Sequence, residues 1–187
     1  MKRVIIGLAA MLLFAFACQA QEKPGVPPKG EKIVALTITS SAFVEGGMIP
    51  KKYSCDGADV SPPLAINGTP EGTKSLALIA DDPDAPVGIW VHWVLYNLPP
   101  DTKMLAEGMP AEAALKNGAR QGITDFGRPG YGGPCPPSGT HRYYFKVYAL
   151  DTVLNPTGKV TKKELEAAMK GHILAEGQLM GKYARQR

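Results

Sequence analysis

Two stretches of the chain carry the short hydrophobic period of β-strands. IWVHWVLYNL (89–98) and HRYYFKVYALD (141–151) are rich in aromatic and β-branched residues. Alternate residues of a strand share a face. This places Trp90, His92, Val94 and Tyr96 on one side of the first, and His141, Tyr143, Phe145 and Val147 on one side of the second. KIVALTIT (32–39) alternates and predicts another strand, while KSLALIA (74–80) is almost continuously apolar, the pattern of a strand covered on both faces. Turn-rich loops separate these runs: CDGADVSPP (55–63), NGTPEGT (67–73) and FGRPGYGGPCPPSG (126–139). The C-terminal part changes character. TKKELEAAMKG (161–171) sets Thr161 and Glu164 at capping-box spacing before a run of helix formers. After a break at Gly171, HILAEGQLMGKYAR (172–185) reads as a resumed helix, with Leu165, Ala168, Met169, Ile173, Leu179 and Met180 as the packing face. Strands first and helix last predict a mainly β (α+β) domain.

Composition narrows this further. In 187 residues, 44% of them hydrophobic, there is material for one domain with a core, and 21 Gly with 17 Pro favour short strands and tight turns. No internal repeat is present. The formal net charge of +4 includes Lys2 and Arg3, and no basic run of five residues occurs, which argues against a nucleic-acid partner.

Lys2 and Arg3 precede an apolar stretch, Val4 to Ala17, interrupted only by Gly7. It is short for a membrane span and reads as an export segment. AFAC (15–18) resembles a lipoprotein box that would make Cys18 a lipidated N-terminus, whereas cleavage after CQA, before Gln21, would remove Cys18. Either way the expected location is the periplasm or cell envelope, with membrane attachment only through a lipid on Cys18. QEKPGVPPKGEK (21–32) has the composition of a tether. The expected organisation is a signal segment (1–17), a tether (18–32) and one domain (33–187). With Cys18 lipidated or removed, Cys55 and Cys135 remain as an even pair in an oxidising compartment, either bridged or as two thiols in turns.

The candidate chemistry gathers around DDPDAP (81–86), where three acids crowd a turn stiffened by two prolines. If the strands ending or beginning nearby are neighbours, Asp82, Asp84, His92, His141 and Tyr143 converge at one end of a sheet. Each alone has an ordinary role: a buried histidine donating to a carbonyl, an aspartate shaping a turn, glycines supplying positive φ. His172 reads as a capping or packing residue. No GxSxG supports a serine nucleophile at Ser54, Ser61 or Ser138, and Cys135, flanked by prolines, lacks the helix N-terminus that activates a thiol. The absence of HExxH or a close histidine pair gives no expectation of a metal, and no cofactor is implied.

DPDAP (82–86), WVHW (90–93), GGPCPPSG (132–139) and HRYYFKVYALD (141–151), in that order, resemble the phosphatidylethanolamine-binding protein family, in its bacterial, Raf-kinase-inhibitor-like branch. YSCDGADVSPPL (53–64), TDFGRPGYGG (124–133) and ELEAAMKGHILAEGQLMGKY (164–183) are similar too, so the resemblance spans about 36–185. It implies a large antiparallel sheet packed on a smaller one, a β-sandwich with peripheral and C-terminal helices. It also implies a small pocket for phosphate-like or carboxylate anions, including phospholipid head groups, built from Asp82, Asp84, His92, His141 and Tyr143 with Gly133 and Pro134 at its rim. Histidines with an ordinary pKa of about 6.5 would supply positive charge, and Tyr143 and backbone N–H groups near Gly133 would donate. One carboxylate would hold a histidine's tautomer, making the acid turn the orienting wall. The expected function is an exported anion or head-group binder, acting alone or on a partner protein. A protease-inhibitor-like envelope protein and a phosphoester hydrolase using the Asp/His pocket are the alternatives.

Overall fold

The computed structural model describes residues 34–185. The expected signal segment, the expected tether and Cys18 lie outside the described residues. The elements are β1 (Val34–Ala35), β2 (Thr37–Thr39), β3 (Leu64–Asn67), β4 (Ser75–Asp82), β5 (Trp90–Leu98), β6 (Met104–Leu105), β7 (Arg120–Gln121), β8 (Thr140–Leu150), α1 (Lys162–Met169) and β9 (Ile173–Ala184). Six strands form one sheet in the order β1-β9-β8-β4-β5-β7, and three form a second, β2-β3-β6. Pairing is antiparallel except between β1 and β9. This is a mainly β, phosphatidylethanolamine-binding-protein-like sandwich with one peripheral helix.

β4 explains the layering. All eight of its residues are buried, because both faces of the large sheet are covered. Leu76, Leu78 and Ala80 point toward the small sheet and join Leu64, Ile66, Trp93 and Phe145 in the larger core. Ala77 and Ile79 point the other way, beneath α1, with Val94, Tyr96, Leu165 and Met169. Burying a side chain such as Leu165 contributes about 1.5–3 kcal/mol. The capping-box reading of α1 holds: the Thr161 N–H donates to Glu164 at 3.1 Å. Gly171, with φ +82°, turns the chain out of the helix.

Residues 172–185 depart from the expected helix. They form β9, which runs along β8 from Thr140↔Ala184 to Leu150↔Ile173. The inward positions are Ala175, Gly177, Leu179, Gly181 and Tyr183, a strict period of two in which two glycines hide the apolar signal. A Cβ on Gly177 would lie 2.2 Å from the Leu36 carbonyl oxygen, and one on Gly181 would lie 2.5 Å from Ile49 Cγ1. Small size is needed because the neighbouring chain passes this close, and two glycines within one turn would weaken a helix.

β5 corrects a second expectation. Ala80 pairs with Trp93 while Asp81 pairs with Val91, so His92 is an extra residue in a β-bulge. Beyond the bulge the faces exchange. Trp90 and His92 face one side, whereas Val94 and Tyr96 pack under α1. On β8 no such break occurs, and Tyr143, Phe145 and Val147 enter the larger core together.

Gly177→Ala should therefore lower stability by about 1–3 kcal/mol through overpacking against backbone. Gln178→Ala, at the exposed neighbouring position, should change it by less than about 0.5 kcal/mol. Urea unfolding midpoints of the two variants check the strand assignment, since a helix over 172–185 would not order them this way.

Candidate anion-binding site

The crowded acids of the β4–β5 turn are separated by the geometry of the strand they end. Adjacent strand residues point to opposite faces, and Asp81 looks toward α1. There its carboxylate accepts from Lys146 Nζ at 2.8 and 2.9 Å and from Lys162 Nζ at 2.6 Å. Asp82 looks the other way. Its Oδ2 lies 2.7 Å from His141 Nδ1, and its Oδ1 accepts the Asp84 N–H at 2.8 Å. Asp84 turns outward to Arg142, accepting from the backbone N–H and Nε at 2.9 Å each and from Nη2 at 2.6 Å. The Arg142 guanidinium holds the Asp84 carboxyl down at about 2. Each acid thus has its own cationic or titratable partner, and Asp84, expected in the pocket, faces Arg142 instead.

His92 is 4% exposed, with Nδ1 2.6 Å from the Gly132 carbonyl oxygen. A carbonyl only accepts, so Nδ1 carries the proton. Burial pushes the His92 pKa below its ordinary value, against the pull of the Gly132 carbonyl and of Asp82. The shift favours the uncharged ring more than in a free imidazole, and in that form Nδ1 keeps the proton and Nε2 has none. Neither His92 nor His141 has a hydrogen-bond partner for Nε2 among the described residues. Tyr143 stands edge-on to His92 at 5.1 Å between ring centroids. Its hydroxyl is buried with no hydrogen bond to a described residue, and burial, then the charge of Asp82, push its pKa far above that of a free phenol. It stays protonated.

The glycine-proline loop contributes differently from expectation. The Gly133 N–H donates to Asp59 Oδ1 at 2.6 Å, so it is not available to an anion. The Pro134 carbonyl accepts from the Cys55 N–H at 3.1 Å. Both residues are buried behind the site. A Cβ on Gly133 would lie 2.4 Å from the Tyr53 carbonyl oxygen, and one on Gly132 would strike the Phe126 ring at 2.5 Å. Their role is close packing. Cys55 and Cys135 are joined by a disulfide across 80 residues of sequence.

These elements enclose a cleft of about 180 Å³. Asp82, His92 and His141 supply its polar surface, and Pro86, Val87, Trp90, Phe126 and Pro136 are among its apolar walls. No lysine or arginine lines it among the described residues, and no three metal-binding side chains among them are grouped to hold an ion. Sequence reading named Asp82, His92 and His141 but missed Phe126, whose ring meets Trp90 and His92 edge-on at 5.6 and 5.4 Å. It also missed Arg142 and Asp59, the partners that occupy Asp84 and Gly133. The available signal for Arg142 was its position in HRY, one residue after His141 and so on the opposite strand face.

In Arg142→Ala the Asp84 carboxyl should titrate closer to the ordinary value of about 3.9. Because its native pKa is depressed, Asp84 stabilises the fold at pH values above the unfolded pKa. That contribution is lost as pH falls toward about 2. The expected result is an acid-side stability difference between wild type and variant that closes at the lowest pH, followed by carboxyl-carbon NMR together with thermal unfolding.

Residues 39–184 match the phosphatidylethanolamine-binding protein family. A UPF0098 protein of Methanothermobacter thermautotrophicus is 50% identical over 150 residues, covering 80% of this chain and 99% of its own. The crystal structure of a phosphatidylethanolamine-binding protein homolog from Chlamydia trachomatis is 48% identical, with a TM-score of 0.75 over 81% of this chain and 99% of that one. The Escherichia coli YBCL structure, described as a new member of the mammalian family, is 33% identical, with a TM-score of 0.74 and the same coverage. The match over 39–184 and the identities of 48–50% over nearly the whole length of these relatives show that the chain belongs to the phosphatidylethanolamine-binding protein family.

Proposed function

We propose that this chain is an exported binding protein whose cleft takes a small oxyanion, a phosphate-like or carboxylate group, free or at the head of a phospholipid. The observation that carries the reading is the pair of histidines at a cleft of about 180 Å³, each with Nδ1 held by the protein and Nε2 without a partner among the described residues. Sites of this kind, apolar walls with a few convergent polar groups, are the usual form of small-ligand pockets. Asp82, His92 and His141 are the ligand-facing residues, with Tyr143 supporting them from behind. Asp84, Gly133 and Pro134 shape the site through Arg142, Asp59 and Cys55.

Binding is favoured over catalysis by the fate of the candidate nucleophiles. Cys135 is bonded to Cys55 and has no thiol. The Ser54 hydroxyl donates to the Lys51 carbonyl, and the Ser61 hydroxyl accepts the Met109 N–H. Export rests on Lys2, Arg3 and the apolar run before AFAC, with anchoring through Cys18 as the lipoprotein form. A solvent-exposed disulfide suits that oxidising location. The motif resemblance supports the bacterial Raf-kinase-inhibitor-like branch. A role in regulating a partner protein draws on Val87, which is 77% exposed at the cleft mouth.

The test is NMR of the imidazole signals of the full chain while phosphate, phosphoethanolamine and acetate are added separately. Saturable shifts at His92 and His141, lost in His92→Ala and His141→Ala, are expected, with no release of p-nitrophenol from p-nitrophenyl phosphate. Unmoved imidazoles with all three anions would discard the reading.

A further inference from the structure

We propose that the Cys55–Cys135 bond is a reversible redox site. A dithiol, small or borne by a protein, opens it in the folded chain, and opening it loosens one wall of the cleft.

Access comes first. Cys55 and Cys135 are both exposed, although Ser54, Pro134 and Pro136 beside them are buried. Thiol–disulfide exchange begins when a thiolate attacks one sulfur of the bond, so it depends on approach from solvent. A buried bridge is shielded until the chain unfolds. An exposed one can be attacked in the native state, and exposed bridges are the labile members of their class.

Position gives the bond its effect. Cys135, Pro136 and Pro137 all line the cleft. Three hydrogen bonds also tie this loop to segment 53–59. Tyr131 donates to the Tyr53 carbonyl, the Gly133 N–H to Asp59 Oδ1, and the Cys55 N–H to the Pro134 carbonyl. All three end on loop residues that precede Cys135. The disulfide is the tie that reaches further, at the head of residues 135–139, which lead into β8 at Thr140. Opening it leaves those three bonds and the His92–Gly132 contact in place. It takes the crosslink away from the stretch that carries Pro136 and Pro137.

The fold itself does not contain the bridge. Neither cysteine lies in a strand of either sheet, and neither belongs to either apolar core. Reduction lowers global stability, because a crosslink across 80 residues is lost. The structural change falls on 135–139, and it is the same whichever ligand the cleft takes.

The exchange is balanced by the dithiol. One of its thiolates attacks a bridge sulfur, forming a mixed disulfide and releasing the other cysteine as a thiolate. The second thiol of the reagent then displaces the bound cysteine and closes the reagent's own disulfide. Two electrons and two protons pass to the chain, which ends with two thiols.

The experiment treats the full chain at neutral pH, without denaturant, with dithiothreitol in one arm and reduced thioredoxin in another. Alkylation with peptide mass mapping counts thiols at Cys55 and Cys135 and keeps Cys18 apart. Nitrogen-15 relaxation then reports the order of each backbone amide. Both thiols should appear while the amide signals of β4, β5 and β8 stay dispersed, and opening by either reagent supports the proposal. Order parameters at Cys135, Ser138 and Gly139 should fall from about 0.85 to about 0.6 or below, and recover on reoxidation. Cysteines that react only after urea has unfolded the chain would overturn the proposal, since the bond is then out of reach in the native state. Order parameters unchanged by reduction would overturn it too, because the hydrogen bonds alone would then fix the wall. Collapse of the strand signals on reduction would do the same, making the bond a staple of the whole domain.

Discussion

Three carboxylates within four residues, at the end of the most deeply buried strand, set the condition that the rest of the molecule meets. Each is matched by a group from elsewhere in the chain, and the matches tie elements together. Asp81, 1% exposed, receives Lys146 from β8 and Lys162 from α1, which fixes the helix against the sheet. Losing one member of a buried ion pair costs about 3–5 kcal/mol, so Asp81 matters more to the fold than Asp84, whose partner Arg142 is half exposed. Asp82 alone is matched by a histidine, and it alone of the three lines the cleft. The turn thus separates an acid of the interior from an acid of the cleft by the alternation of strand faces.

The bulge at His92 is the second constraint, and it connects core to site. Without the extra residue, one register would have to serve both ends of β5. It could not at once aim His92 at Tyr143 and Gly132 and place Val94 and Tyr96 beneath α1. The bulge allows both and leaves Trp93 in the larger core. The backbone of His92 also holds the facing loop, since its carbonyl accepts the Gly132 N–H at 2.9 Å. Its ring accordingly has little freedom, and an aromatic edge contact on each side completes its confinement. A side chain held this firmly presents one tautomer and one nitrogen to the cleft.

Much of the fold was legible because strand periodicity and turn chemistry agree. β4, β5, β8 and α1 lie within a residue or two of their expected bounds, and continuous apolarity in β4 correctly implied two covered faces. The failure at β9 has a definite cause. Gly177 and Gly181 face inward where the neighbouring chain comes close, so a reading that counts apolar residues sees Leu179, Met180 and Ile173 and infers a helix. Of the site, Asp82, His92 and His141 could be named from motifs and strand ends. Their protonation roles could not, because those depend on partners distant in sequence: Gly132 for His92, Arg142 for Asp84, Asp59 for Gly133. A bulge is also invisible to a period-of-two argument, which is why Val94 and Tyr96 were placed on the wrong face.

The cleft wall contributed by residues 126–139 has no regular secondary structure, yet the proposed binding through a fixed His92 tautomer requires a rigid wall. Its rigidity is assembled from separate restraints. The disulfide to Cys55 closes a span of 80 residues, which in a chain-entropy account is worth about 4–5 kcal/mol. Tyr131 donates to the Tyr53 carbonyl at 2.8 Å, Asp59 accepts from Gly133, and three prolines follow within five residues. Prolines reduce the conformations the loop would otherwise explore. The restraints converge on the same short segments, 53–59 and 131–137, so the loop is ordered before any ligand arrives. With the neighbouring lysines and arginines engaged by Asp81, Asp84 and Asp59, the polar groups left facing the cleft are Asp82, His92 and His141 in an apolar surround, so a ligand there would be held by hydrogen bonds. Those are strong only when their geometry is set in advance. The disulfide and the glycine-proline loop therefore set the shape of the cleft as much as the histidines that face it.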